Sequence, residues 1–180
     1  MSETNRHAKE VLYVVVCAAL PAQQIQNFVS LAKASGWVVC VIATPQATKF
    51  VDVPLLEQLT SYPVRSNYKH PQEPDVLPQA DAIVILPATF NTINKWALGI
   101  TDTLALGLLC EYLGLRKPIL AVPHVSTDEL GQHPAFSKSV ALLRECGVHI
   151  LYEPERYPPA NTVPLQVVFD ELGKMIKLVV

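Results

Sequence analysis

The stretch Ala80-Asp81-Ala82-Ile83-Val84-Ile85-Leu86-Pro87-Ala88-Thr89-Phe90-Asn91-Thr92 runs five apolar residues together (82–86) and then enters a small turn rich in hydroxyls. A parallel strand covered on both faces reads as such an unbroken apolar run. Helix formers follow from Ile93 to Leu98, so the segment is a buried strand that passes through a turn into a helix. In an open α/β sheet, the turn after the strand's carboxyl end is where ligands bind. A helix starting there aims unpaired backbone N–H groups at the ligand, which favours a phosphate or carboxylate.

Outward from this segment, strands and helices alternate. The apolar runs Val11 to Cys17, Trp37 to Ala43, Pro118 to Val122 and Val148 to Tyr152 read as further strands. Pro21 to Ser35 reads as a helix, with Pro21 in its first turn and Gly36 as its C-terminal cap. Short helices are expected over 46–50 and 54–60, longer ones over 90–98, 102–113 and 133–146, and a closing helix over 164–177. Residues 61–79 are rich in proline, tyrosine and polar groups and read as an irregular active-site or interface loop. Residues 153–163 hold three prolines and read as extended. Repeated β-α units without hairpin signals predict an α/β fold: a Rossmann-like, flavodoxin-like, doubly wound parallel sheet in a single domain. That domain is expected over 11–180, behind a loose polar leader over 1–10.

At 180 residues the chain suits one well-buried core. Only 17% of residues are charged while 50% are hydrophobic, which points to a sheet covered on both faces and to apolar surface hidden in a homo-oligomer. The formal net charge of −2 and the absence of a basic run argue against a nucleic-acid partner. No apolar stretch reaches the 18 or so residues of a membrane helix, so no membrane partner is expected. Cys17, Cys40, Cys110 and Cys146 lie far apart among apolar neighbours, which reads as buried reduced thiols in a cytoplasmic protein. The five histidines show no ligand spacing, so no metal is expected.

The first strand is followed by Cys17-Ala18-Ala19-Leu20-Pro21 with no glycine. A dinucleotide diphosphate needs glycine there for close backbone approach, which argues against NAD(P). One phosphate asks less: a helix N-terminus and a few hydroxyls suffice. Thr44-Pro45 after the second strand reads as an N-cap or an anion ligand. Thr89, Asn91 and Thr92 read the same way, and a flavodoxin-like strand order places the two turns close together.

Pro87-Ala88-Thr89-Phe90-Asn91-Thr92 resembles the Pro-Ala-Ser-Ala-Asn-Thr signature of the FMN-containing cysteine decarboxylase flavoproteins, a group that includes the phosphopantothenoylcysteine decarboxylases and the lantibiotic peptidyl-cysteine decarboxylases. The likeness continues through Gly99-Ile100-Thr101-Asp102-Thr103-Leu104, similar to Gly-x-Ala-Asp-Asn-Leu, and covers roughly 11–150. It implies non-covalent FMN, assembly as trimers or larger assemblies of trimers, and flavin-dependent oxidation and decarboxylation of a small carboxylate or thiol-bearing substrate. Matched by position, Thr44, Pro87, Ala88, Thr89, Asn91 and Thr92 fall on the FMN pocket. Ala18 and Ala19 stand where the family usually has Gly-Ser. A family histidine belongs near Glu73, and the loop's sole histidine is His70. The substrate clamp Pro-x-Met-Asn-x-x-Met-Trp becomes Pro123-His124-Val125-Ser126-Thr127-Asp128-Glu129-Leu130, where the leading proline matches and His124 supplies a titratable group. His124 and His70 are therefore the catalytic candidates. Tyr62 and Tyr68 are candidates to border the flavin, while Trp96 reads as packing. Two further readings stay open: a non-catalytic or regulatory FMN-binding module, and a Rossmann-like fold with another anionic ligand.

Overall fold

The computed structural model describes residues 9–158 and 162–179. Strands β1 (Val11–Val16), β2 (Val38–Ala43), β3 (Ala82–Ala88), β4 (Ile119–Pro123) and β5 (His149–Ile150) form one parallel sheet in the order β2-β1-β3-β4-β5. Every residue of β1 and β3 is buried. Their apolar runs are therefore those of central strands. In register, Val14 lies between Val41 and Val84, and Val15 between Ile42 and Ile85.

Helices α1 (Ile25–Ala34), α2 (Val53–Thr60) and α7 (Leu165–Val179) cover one face, where Phe28, Leu56, Val168 and Leu172 pack on Leu12, Val14 and Val84. Helices α3 (Phe90–Ala97), α4 (Leu104–Gly114) and α6 (Pro134–Glu145) cover the other, with Trp96, Leu109 and Phe136 against Val15, Ile83 and Ile85. Each large aliphatic side chain withdrawn from water in this way contributes about 1.5–3 kcal/mol before chain entropy is charged against it. Trp96 is a core residue, as its sequence context indicates.

Several expectations are corrected locally. The helix expected from Pro21 begins as a 3-10 turn (Leu20–Gln24), and α1 proper starts at Ile25. The short helix expected at 46–50 is a three-residue 3-10 turn (Ala47–Lys49) whose side-chain caps do not include Thr44. Thr44 instead donates its backbone N–H to Val16 and accepts from Ala47 N through its carbonyl, both at 2.8 Å. A short helix, α5 (Asp128–Gln132), occupies part of the segment between β4 and α6; Thr127 caps it. The β5 strand is two residues long where a strand over Val148 to Tyr152 was expected. Part of the expected extended stretch, residues 159–161, and most of the polar leader, residues 1–8, lie outside the described residues.

Residues 61–79 are irregular but tied down. Arg65 bridges to Ile42 on the outer edge of β2, and the Ala43 N–H donates to its carbonyl at 2.8 Å. The Tyr13 hydroxyl donates to the Pro78 carbonyl at 2.8 Å, and the Tyr68 hydroxyl to that of Thr101 at 3.0 Å. The loop blunts an edge strand that would otherwise offer free backbone groups.

Not every cysteine is buried: Cys17 and Cys40 are, Cys110 is half-buried, and Cys146 is exposed at the end of α6. Burial pushes the Cys40 thiol from 9.0 up to about 12. A thiol held neutral in the folded state contributes full stability below its unfolded pKa, and this contribution is lost as pH rises through the folded one. Stability should therefore decline between about pH 9 and pH 12. A Cys40→Val variant is expected to decline less steeply in chemical unfolding across that range; an unchanged slope would refute the assignment.

Candidate functional site

The chain leaves β1 toward one side of the sheet and β3 toward the other, which makes the β1/β3 boundary a topological switch point. Four strand tips are laced together there. Thr44 N–H donates to Val16 O at 2.8 Å, Cys17 N–H to Pro87 O at 3.2 Å, and His124 N–H to Ala88 O at 2.8 Å. The register of β3 against β4 shifts between Ile85 and Ala88, so β3 departs from regular pairing where the turn begins.

Thr89 caps α3, its hydroxyl accepting the Thr92 N–H at 3.4 Å. The Thr89 and Thr92 hydroxyls lie 3.0 Å apart, and the buried Cys17 thiol donates to Thr92 Oγ1 at 3.3 Å. Thr92 is buried, Thr89 half-buried and Asn91 exposed. The N–H of Ile93 is taken by the Thr89 carbonyl, while those of Phe90 and Asn91 have no acceptor among the described residues. Two bare amides and a capping hydroxyl make an arrangement that fits one phosphate. Ala18 and Ala19 are half-buried beside it, in the β1 turn. Their methyl groups restrict backbone approach where glycine would allow more.

On the α1/α7 side of the same tips opens a cavity of about 440 Å3, within the range of roughly 300–1,000 Å3 usual for small-molecule sites. Its walls come from the β1–α1 turn, the ends of β3 and β4, and the chain on either side of residues 159–161. Of the residues singled out in the sequence, Pro87 and His124 line it. Ala18, Ala19, Thr44, Ala88, Thr89, Asn91 and Thr92 sit at the strand tips but not in its wall. Burial lowers the His124 pKa below its usual 6.5, so its imidazole is neutral at pH 7 with one ring nitrogen free to accept a proton.

His70 is placed elsewhere. It is exposed in a turn in which its carbonyl accepts the Glu73 N–H at 2.9 Å and its Nδ1 accepts from Gln72 N at 3.4 Å. Neighbouring Lys69 and Pro71 line a second cavity of about 530 Å3, together with Tyr13, Arg65, Tyr68 and Tyr112, which shares no wall residue with the first. Tyr152 and Tyr157 were not singled out in the sequence, yet both line the first cavity. Tyr152 packs edge-on against Phe136 at 5.2 Å between centroids, and Phe136 stacks on Phe90 at 5.8 Å. Their signal was the spacing of aromatics around the Pro-rich stretch, which has no period to read. No group of three metal-ligating side chains occurs among the described residues, and no helix among them is long and apolar enough to cross a membrane.

A parallel sheet in this order, with a capped helix starting at its switch point, is a Rossmann-like α/β architecture. The chain belongs to the Flavoprotein family, whose model matches residues 1–177. It is 42% identical over 72 residues to a cysteine/cysteine sulfinic acid decarboxylase of an unidentified prokaryote, covering 40% of this chain and 19% of that protein. It is 32% identical over 155 residues to the coenzyme A biosynthesis bifunctional protein CoaBC of Mycobacterium tuberculosis, covering 84% of this chain and 36% of that one. The chain thus spans about a fifth to a third of the length of these curated relatives. Among solved structures, the FMN-dependent cysteine decarboxylase TvaF of thioviridamide biosynthesis superposes with a TM-score of 0.69 at 22% identity, covering 83% of this chain and 93% of that one.

Proposed function

We propose that this protein binds FMN at the strand tips and uses it to oxidise, and then decarboxylate, a small thiol-bearing carboxylate held in the adjoining cavity. The supporting observation is the junction of two features at one switch point. Bare amides and hydroxyls gather around Thr89, and the neutral His124 faces the cavity beside them. Thr89, Asn91 and Thr92, with the backbone of Phe90, would hold the phosphate. Ala18, Ala19, Thr44, Pro87 and Ala88 would border the cofactor. Bound FMN supplies a two-electron acceptor that the protein's own side chains lack.

The residues of the chain bind, orient and move protons. His124 would take the thiol proton on its free ring nitrogen, which is available because burial keeps the imidazole neutral. The cavity's apolar walls, Leu86, Val122 and Leu151 among them, would keep water from the reacting carbon. His70 is the second candidate for proton transfer, from a position outside this cavity. The protein is proposed to work as a homo-oligomer, a trimer or an assembly of trimers, in the cytoplasm.

The segment after Pro123 favours a second reading. In place of the family clamp it carries a Thr127-capped helix, α5, so a non-catalytic or regulatory FMN-binding module fits the same cradle. Alanine variants separate the two. With the enzyme reading, His124→Ala keeps FMN and loses about 10²–10⁴-fold in turnover of an accepted thiol carboxylate. His70→Ala reports by the same assay whether that residue takes part. Unchanged turnover in both variants would remove the proton-transfer roles. Lack of turnover by the FMN-loaded wild type, across a panel of such acids, would favour the binding module.

A further inference from the structure

Cys17 follows the last residue of β1 and is buried against the start of α3. Burial pushes its thiol pKa up, outweighing the opposite pull of contacts with Thr92 and Thr89, so the sulfur keeps its hydrogen at pH 7. That hydrogen goes to Thr92 Oγ1 at 3.3 Å. Thr92 is itself buried, and its hydroxyl has two partners among the described residues: Cys17 Sγ, and Thr89 Oγ1 at 3.0 Å.

Each hydroxyl in this chain has one hydrogen and two lone pairs, and that fixes the direction of the chain. With the thiol hydrogen spent on Thr92 Oγ1, the Thr92 hydrogen has Thr89 Oγ1 as its acceptor. Thr89 Oγ1 then accepts twice, from the Thr92 hydroxyl and from the Thr92 N–H at 3.4 Å. Its lone pairs are filled and its own hydrogen is unspent, at the half-buried end of the chain. The Cys17 sulfur also neighbours that hydroxyl, but a neutral thiol accepts weakly and a phosphate oxygen strongly.

We propose that Cys17 is a positioning residue for phosphate recognition: through Thr92 it makes the Thr89 hydroxyl a donor to the flavin phosphate. The inference deepens the function proposed above and rests on the FMN phosphate lying at the strand tips. Without the thiol, the Thr92 hydroxyl is free to accept from Thr89, which leaves a Thr89 lone pair for the anion instead of a hydrogen. Cys17 thereby raises the preference for FMN over riboflavin, which lacks the phosphate.

FMN and riboflavin are titrated in parallel into wild type, Cys17→Ala and Cys17→Ser while flavin fluorescence is followed. Cys17→Ala is expected to weaken FMN about 5–10-fold and to leave riboflavin within about twofold of wild type. Cys17→Ser keeps a donor of similar size and should restore most of the FMN preference. In the double variant Cys17→Ala/Thr89→Ala, the cysteine change should cost FMN binding nothing beyond Thr89→Ala alone, because it acts through that hydroxyl. Urea unfolding checks that each variant is folded. If Cys17→Ala does not fold, Cys17→Val fills the space without a donor and is expected to show the same loss. The inference is overturned by an unchanged FMN-to-riboflavin ratio, by equal losses for both flavins, by additive losses in the double variant, or by a serine variant as weak as the alanine one. Wild type that takes up neither flavin would overturn the cofactor reading and the inference together. Wild type that binds FMN while the ratio stays fixed across the variants overturns the inference alone.

Discussion

Trp96→Ala is expected to cost about 3–5 kcal/mol of folding stability. Trp96 is 2% exposed on α3 and belongs to the cluster that joins Ile83 and Ile85 to α4 and α6. Removing its indole leaves a void that rigid β-branched neighbours on two strands cannot close. A domain of this kind has about 5–15 kcal/mol in total, so the loss is about a fifth of it or more. The Trp96 Nε1 has no hydrogen-bond partner among the described residues. Trp96→Phe discards that unpaired N–H and keeps most of the ring, so it should cost far less than the alanine change. Urea unfolding of the two variants checks this. Equal losses would mean that the retained ring volume counts for little and that the indole N–H is satisfied in the folded protein.

Thr89→Ala is expected to act twice. The cap on α3 is lost, which costs about 1 kcal/mol. The hydroxyl beside the bare Phe90 and Asn91 amides is lost as well. A hydrogen bond to a charged group is worth about 1.5–3 kcal/mol, so FMN affinity should fall about 10–150-fold. Thr103 provides the control. It caps α4 through the same geometry, accepting the Leu106 N–H at 3.3 Å. Thr103→Ala should therefore match the stability loss while leaving FMN affinity unchanged. If both variants bind FMN equally well, Thr89 is a structural cap and nothing more.

The contrast between Thr89 and Thr44 shows how far local sequence carries. Both follow a buried strand and both have the side chain of a cap. Thr89 is followed by eight helical residues, so its hydroxyl has a helix to cap. Thr44 is followed by a three-residue 3-10 turn that closes on its backbone carbonyl. Propensity favours the cap at both positions, and only the length of the following turn decides. The apolar runs were legible for a related reason. A strand packed on both faces has no charged position, and β1 and β3 show none, the Tyr13 hydroxyl being taken by the Pro78 carbonyl. β5 was overestimated because Val148 and Leu151 are buried next to the strand without belonging to it.

The cavity was the least legible feature. His124 and Pro87 were visible as residues after strand ends. Most of the wall, however, comes from chain far away in sequence, notably Leu20 to Ile25, Leu151 to Tyr157 and Thr162 to Leu165. Proline-rich segments have no period, so nothing local announces that Pro154, Pro164 and Pro21 line one space. His70 illustrates the converse. Family spacing put it near the chemistry, while the turn closed by Glu73 holds it on the surface.

FMN uptake is the decisive measurement. Purified protein, stripped of small molecules and shown to be folded, is titrated with FMN while flavin fluorescence and visible absorbance are followed. Saturation is expected at one FMN per chain with a dissociation constant of about 1 μM or tighter, with riboflavin binding more weakly because it lacks the phosphate. Folded protein that stays colourless and leaves flavin fluorescence unchanged throughout would contradict it.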